Sequence, residues 1–433
     1  MSIEILYQFF LDSTGVCTDT RKILPGEIFF ALKGPNFNGN TKAAEALEKG
    51  ASKAVVDEEA FALNDQYVLV EDALRSLQDL ARHHRRQFKI PVIALTGSNG
   101  KTTTKELIAA VLQKQFKTHF TQGNLNNHIG VPLTLLSMPA GTEMAVVEMG
   151  ANHPIEINQL CRIAEPNFGL ITNIGKAHLE GFGDIKGVQK AKGELFEFVE
   201  SFGGKAFVNV NDPLVVELAY YIQNAHTYGS QKFSKTHVEL IAAAPFLKAK
   251  WFDKNKKTDT ITILDVETQL IGAYNLDNVI AAIAIGTKFK VAPELIVKAI
   301  SNYVPKNNRS QVIERDSNTY ILDAYNANPS SVSAALENLA GMSVAKKVAI
   351  IGDMKEQGAH EKAEHQKVVD DCLSKKFDAV YLVGEIFAAF ETEGLSCFKN
   401  AADLKAHLSK NVIENATVLI KGSRSVGLEI LLD

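Results

Sequence analysis

The segment IPVIALTGSNGKTTTKELIAAVLQKQF (90–116) constrains this chain more than any other stretch. An apolar run, IPVIAL, leads into the turn Gly97-Ser98-Asn99-Gly100-Lys101-Thr102-Thr103. Behind it, apolar residues recur at Leu107, Ile108, Val111, Leu112 and Phe116, the spacing of one helix face. The segment therefore reads as a buried strand, a loop and a helix. Glycines in such a loop let backbone N–H groups curl around a phosphate, and the helix start adds partial positive charge. Lys101 can reach the β- and γ-phosphates, and the Thr102 hydroxyl can ligate Mg2+. A glycine turn that happens to contain a lysine is the bland alternative, and the strand–loop–helix setting argues against it. The loop is the short form T-G-x-x-G-K-T, because Leu95 stands where the general phosphate loop has its first glycine.

The rest of the chain supports a parallel-sheet setting. EMAVVEMG (143–150), FGLITNIG (168–175) and KAFVNV (205–210) are runs that are apolar on both faces, as in a sheet covered by helices. Past residue 235, LKAKWF and DTITILDVETQL alternate in polarity and are joined by DKNKKTD, which predicts an antiparallel hairpin. A helix, NLDNVIAAIAIGTKF (275–289), follows. From about 304 a second doubly wound pattern begins, with strands TYILDAY (319–325), KKVAIIGDM (346–354), FDAVYLVG (377–384) and ATVLIKGS (416–423). Before residue 85, GEIFFAL (26–32), AVVDEEA and QYVLVED read as strands of a small α/β unit, with a helix in TKAAEALEKGA (41–51). At about 150 residues per domain, 433 residues suggest three. The expectation is an α/β protein of three domains, divided as 1–85, 86–303 and 304–433.

Composition excludes several classes. Hydrophobic residues at 46% and charged residues at 22% are an ordinary globular mix, too apolar for a disordered chain. No apolar run approaches the ~18 residues of a membrane span, and MSIEILYQFF, with Glu4 and no basic region, does not read as a signal peptide. Cys17, Cys161, Cys372 and Cys397 lie far apart without metal spacing, which suits a reducing cytoplasm. A net charge of −4 gives no reason to expect nucleic acid. The one basic run, ARHHRRQFK (81–89), has no interleaved aromatics and reads as a solvated helix end followed by a linker, rather than a phosphate patch.

Two further residues stand near the predicted phosphate site. Glu148 ends the strand in AVVEMG, where open α/β sheets place ligands, and beside a phosphate loop it is a candidate for Mg2+. His178, in TNIGKAHLEGFG (172–183), also follows a strand end. Mg2+ prefers oxygen, so chemistry alone favours a structural histidine there.

Taken in order, TGSNGKTT (96–103), NLNNHIGVPLTLL (124–136), VVEMGANHPIEI (146–157), TNIGKAHLEGFG, AKGELF (191–196), NVNDP (209–213), GAYNLDNVIAAIA (272–284) and LDAYNANPSSVSAAL (322–336) resemble the Mur ligase family over essentially the whole chain. These are ATP-dependent amide-forming enzymes of peptidoglycan precursor synthesis. DAYNANPSS, IGDMKEQG (351–358) and LIKGSRSVGLE (419–429) resemble the branch that joins D-alanyl-D-alanine to UDP-N-acetylmuramoyl-tripeptide. The resemblance implies a UDP-binding first domain, a P-loop ATPase-like central domain and a Rossmann-like third domain, in a cytoplasmic monomer. It implies ATP and two Mg2+ ions.

The resemblance also assigns roles. Lys101 would hold the ATP phosphates, and Thr102 and Glu148 one Mg2+. His178 would serve a second Mg2+, against the reading from chemistry alone, together with Lys192 carried as a carbamate. In the sequence Lys192 is one helix-surface lysine among many. Asn275 and Asn278 would contact the adenine end, with Arg309 and Asp323 completing the nucleotide site. Tyr274 stands where many relatives have His. Thr20, Arg21 and Asn38 are candidates for the UDP end, and Asn126, Asn127 and Gly130 for the muramoyl peptide. Tyr325, Asn326, Ser423 and Arg424 would take D-alanyl-D-alanine, the last two where a strand end meets a helix start. Two rivals stand beside this reading. One is a family ligase for a different amino acid. The other is a P-loop ATPase or switch, which has no use for a second metal site.

Overall fold

The computed structural model describes residues 1–254, 258–306, 308–390 and 395–433. Strand Val92–Thr96 is buried throughout, and its side chains alternate between two cores. Val92 and Ala94 enter one, Ile93 and Leu95 the other. That two-sided burial is why the sequence shows a continuous apolar run rather than an alternation. Its parallel neighbours are Met144–Glu148 and Phe168–Ile171. Among the described residues the sheet has nine strands, in the order 261–267, 248–254, 236–242, 225–229, 205–209, 168–171, 92–96, 144–148 and 118–120. Strand 248–254 is antiparallel to both 236–242 and 261–267, so the expected hairpin is present. Residues 255–257 of its connecting DKNKKTD stretch lie outside the described residues.

On one face of this sheet pack the helices Lys101–Leu112, Leu276–Lys288 and Pro293–Ser301. The other face shares its core with the first domain: Leu6, Ile28, Val55 and Leu77 belong to the same cluster as Val92 and Val147. The first domain's own sheet is four parallel strands, from Val16–Cys17 to Tyr67–Leu69. Helix Ala73–Gln87 runs through the expected division at residue 85 and packs on helices Gly130–Leu136 and Glu156–Ala164. The basic run at its end is not a solvated helix terminus, and that expectation is corrected. Arg85 is buried and donates to the carbonyls of Ala164 at 2.9 Å, Phe88 at 2.7 Å and Glu165 at 3.2 Å. Arg82 and Arg86 bind the Glu165 carboxylate at 2.8 and 2.6 Å. The cations close the C-terminus of a neighbouring helix, where carbonyls lack partners and the dipole favours positive charge.

The third domain's sheet has six strands among the described residues, in the order 311–315, 318–323, 417–421, 347–352, 379–383 and 396–398. The four expected strands form its parallel interior. The outer strands were not legible, and the first is an antiparallel edge. Three α/β domains are present, as the patterning predicts.

Candidate active site

The phosphate loop is held open by contacts on both sides. Gly97 has φ +145°, and a Cβ there would lie 2.0 Å from Thr172 Oγ1. Gly100 has φ +75°, and its Cβ would lie 2.5 Å from Asn278 Oδ1. Both glycines are therefore required by backbone conformation and by space. Lys101 opens the helix, and its Nζ donates to the loop carbonyls of Gly97 at 2.6 Å and Ser98 at 3.3 Å. Burial lowers the Lys101 pKa, opposed by the charges of Glu148 and Glu356 and aided by Arg309. Ser98 Oγ exchanges hydrogen bonds with the Gly175 backbone at 2.9 and 3.0 Å. Ser98, Gly100, Lys101 and Thr103 line one cleft of about 500 Å3.

Glu148 enters that cleft from the end of its strand. It accepts from Thr102 Oγ1 at 3.0 Å and from Asn126 Nδ2 at 2.8 Å, and Lys105 Nζ lies 3.5 Å away. An anionic oxygen beside a threonine hydroxyl is the donor chemistry a hard cation takes. Lys192 sits on helix Ile185–Ser201, and it is only 1% exposed, so the surface position read from the sequence is corrected. Its Nζ donates to Ala151 O at 3.2 Å and lies 5.3 Å from the Phe182 ring centre. No carboxylate pairs with it among the described residues. Desolvation, with Lys101 nearby, holds its pKa well below the usual lysine range. His178 has φ +52°, and its Nδ1 lies 2.6 Å from Glu356 Oε2, out of line for a hydrogen bond. That contact helps hold the Glu356 carboxyl below its ordinary pKa.

Asn275 and Asn278 line the cleft, but their amides are engaged within the protein. Thr104 Oγ1 donates to Asn278, Asn278 to Asn275 and Asn275 to Ile271 O, each at 2.8 Å. This buried chain braces the loop from beneath. Tyr274 also lines the cleft and meets Ser310 Oγ at 3.0 Å. Arg309 stacks 3.7 Å over the Tyr325 ring, with Arg424 5.6 Å from the same ring. Asp323 receives the Lys421 ammonium at 2.7 Å and Ser310 N at 3.3 Å. Lys421 also donates to Asn326 O at 3.2 Å. Adjacent strands in register, pairing Asp323 with Lys421, deliver both to the carboxyl edge of the third sheet.

The other candidates lie apart. Thr20 Oγ1 donates to Glu45 at 3.1 Å, Arg21 pairs with Asp19 at 2.8 Å, and Asn38 Nδ2 donates to Glu58 at 3.0 Å. None of the three lines the cleft. Asn127 does; it folds back on the N–H groups of Ile129 and Gly130 at 3.1 and 2.8 Å. Gly130 packs so tightly that a Cβ would lie 2.4 Å from Leu125. Ser423 is buried, and its Oγ accepts from Lys355 N at 3.0 Å. The helix expected after it is a 3-10 turn, Arg424–Val426, so the helix-terminus argument for Ser423 and Arg424 is withdrawn. Sequence reasoning missed Lys105, Glu356, Lys421 and Asn328. All four lie inside or beside motifs it quoted, and only tertiary packing gives them partners.

The site joins two domains. Lys176 Nζ pairs with Glu364 at 2.7 Å, Lys176 N donates to Ser330 Oγ at 3.0 Å, and His360 meets Gly183 O at 3.1 Å. These contacts seat the third domain against the domain of the phosphate loop. The model of the Mur ligase middle domain matches residues 95–286, and that of the Mur ligase, glutamate ligase domain matches residues 308–424. A Bacillus subtilis protein named UDP-N-acetylmuramoyl-tripeptide--D-alanyl-D-alanine ligase is 35% identical, over 96% of this chain and 91% of that one. An Escherichia coli protein of the same name is 34% identical, over 96% and 92%. The crystal structure of MurF from Acinetobacter baumannii is 29% identical with a TM-score of 0.85, covering 98% of this chain and 97% of that one. That of Thermotoga maritima MurF in complex with ADP is 25% identical with a TM-score of 0.86, over the same shares. On sequence and on architecture, the chain belongs to the Mur ligase family.

Proposed function

We propose that this chain is an ATP-dependent carboxylate–amine ligase that joins D-alanyl-D-alanine to UDP-N-acetylmuramoyl-tripeptide, in peptidoglycan precursor synthesis. The observation that carries this reading is the single cleft in which the phosphate loop, Glu148, Arg309 and Asn326 converge from two domains. A motor or switch needs the loop. It does not need a second domain's Tyr325, Asn326 and Lys421 facing it.

A carboxylate does not acylate an amine at neutral pH, because oxide is a poor leaving group. In the proposed reaction a carboxylate oxygen attacks the γ-phosphorus of ATP, the bond to the β-phosphate oxygen breaks, and ADP leaves. The resulting acyl phosphate is attacked by the dipeptide's neutral amine, and inorganic phosphate departs as the amide forms. Charge neutralisation dominates the first step. Lys101 and Arg309 supply it from opposite domains. Docked domains exclude the water that hydrolyses an acyl phosphate.

The donor set fits Mg2+ at one position, where Thr102 and Glu148 stand together. A second Mg2+ would be held by His178 and by Lys192 as a carbamate, which would replace a repelling ammonium with an anionic oxygen ligand. Mg2+ held there would supply charge neutralisation at the phosphates. The burial of Lys192, which outweighs the opposing charges of Glu156 and Glu194, supports this, because a neutral amine is the form that adds CO2 and loses a proton to become a carbamate. Among the described residues no cluster of three His, Cys, Asp or Glu side chains forms a ready-made metal site.

We assign the UDP end to residues 1–85 with Thr20, Arg21 and Asn38, ATP to 86–303, and the dipeptide to 304–433 with Tyr325, Asn326, Ser423 and Arg424. Asn126, Asn127 and Gly130 are assigned to the peptide arm. The catalyst is a cytoplasmic monomer on this reading. No helix among the described residues is long and apolar enough to cross a membrane. The test is phosphate release from ATP with each substrate omitted in turn. The ligase requires all three; release from ATP alone at the full rate rejects it.

A further inference from the structure

Asn328 begins helix Pro329–Gly341 and caps it. Its Oδ1 accepts from Ser331 N at 2.9 Å, while Asn328 N donates to Ser331 Oγ at 3.1 Å. Because a backbone N–H fixes Oδ1, the other corner of that amide is Nδ2. Nδ2 reaches out of the third domain and donates to Oδ1 of Asn99, in the phosphate loop, at 2.8 Å.

The Asn99 backbone is held independently. Its N–H donates to Asn173 Oδ1 at 2.9 Å, and its carbonyl accepts from Thr172 Oγ1 at 2.6 Å and Asn173 Nδ2 at 3.1 Å. What remains free is the direction of its side-chain amide. With Oδ1 committed to Asn328, Asn99 Nδ2 has no protein hydrogen-bond partner among the described residues, and the residue lines the nucleotide cleft.

We propose that Asn328 is a positioning residue: its hydrogen bond across the domain interface sets the polarity of Asn99, so that the docked third domain turns an N–H donor rather than a carbonyl oxygen toward the phosphates of ATP. This deepens the ligase reading and rests on it. An amide oxygen facing a phosphoryl group repels it, whereas an N–H attracts it and does so more strongly as charge develops during transfer. An undocked domain leaves Asn99 free to rotate. Phosphoryl transfer is thereby tied to the seating of the domain assigned to the amine substrate, before acyl phosphate can form and be lost to water.

The test uses Asn328→Ser and Asn328→Asp in the full chain. Both keep a side-chain oxygen for the helix cap. Serine is too short to reach Asn99. Aspartate accepts only, so it draws Asn99 Nδ2 to itself and turns Oδ1 to the phosphates. Expected is a fall in kcat of about ten- to a hundredfold for serine and a larger one for aspartate, with KM for D-alanyl-D-alanine within about twofold. In an Asn99→Ala background, where no amide is left to turn, either substitution costs at most about a further twofold. Equal losses in both backgrounds, or wild-type kcat in Asn328→Ser, overturn the proposal. Independently of turnover, a non-hydrolysable ATP analogue should shift the Asn99 side-chain amide resonance of the wild type and not that of Asn328→Asp. An unmoved wild-type resonance overturns the link, whereas a wild type without three-substrate phosphate release rejects the ligase reading instead.

Discussion

Gly97→Ala should disable the phosphate loop for a reason that can be worked from distances. The residue has φ +145°, and an added Cβ would lie 2.0 Å from Thr172 Oγ1 and 3.0 Å from Thr172 N. Thr172 cannot simply rotate, because its Oγ1 donates to Asn99 O at 2.6 Å and its N donates to Thr96 O at 2.9 Å. Backbone strain costs about 1–3 kcal/mol, the lost buried hydrogen bond about 1, and overpacking about 1–3, for a total of about 3–7 kcal/mol. The protein's single tryptophan, Trp251, is buried in the same central core and reports its unfolding. Urea titrations followed by Trp251 fluorescence therefore measure the loss directly. Thr172→Ala removes the clashing oxygen, so in the Gly97→Ala background it should restore about 1–3 kcal/mol relative to its effect in the wild type. If Gly97→Ala lies within about 1 kcal/mol of wild type, or the two changes simply add, the close-approach argument is wrong.

Lys192→Ala should abolish ligation, and short carboxylic acids should restore part of it by supplying the missing anionic oxygen; full activity without additive contradicts the carbamate role. Arg424→Ala should raise KM for D-alanyl-D-alanine more than KM for ATP, and equal effects on both remove Arg424 from the dipeptide site. His365 is fully buried, with burial holding its pKa below the ordinary histidine value, and its Nε2 accepts from Met354 N at 3.0 Å. The unfolded chain then binds a proton that the native one refuses, so stability falls as pH drops below about 6.5, by at most about 1.4 kcal/mol per pH unit. His365→Gln should flatten that slope in urea titrations between pH 5 and 7; an unchanged slope assigns the acid sensitivity elsewhere.

The sequence was most informative where local pattern and burial coincide. Strands 92–96, 144–148 and 168–171 are apolar on both faces because helices cover both, and that pattern needs no tertiary knowledge to read. The loop at 97–103 was legible because strand, glycines, lysine and helix follow one another along the chain. Edge strands 311–315 and 396–398 were not, since an edge is half-wetted and its pairing comes from distant residues. The same limit applies to charge. Arg85 looks like a surface cation until helix 156–164 is laid against it, and Lys192 until Ala151 and Phe182 enclose it. His178 shows the converse. Mg2+ chemistry argued against it, family resemblance argued for it, and the fold places it against Glu356 from another domain. Asn328 was read only as part of a motif, because its two hydrogen bonds serve two domains at once.

The central claim is that ATP phosphorylates a carboxylate in this cleft before the amine attacks. The most direct measurement is oxygen transfer. UDP-N-acetylmuramoyl-tripeptide carrying 18O in its reacting carboxylate is incubated with the enzyme, ATP and D-alanyl-D-alanine, and the released phosphate is analysed by mass spectrometry. An acyl phosphate requires one labelled oxygen to appear in each phosphate and the other to remain in the amide. Unlabelled phosphate formed alongside labelled substrate means that ATP was cleaved by water, and the account fails.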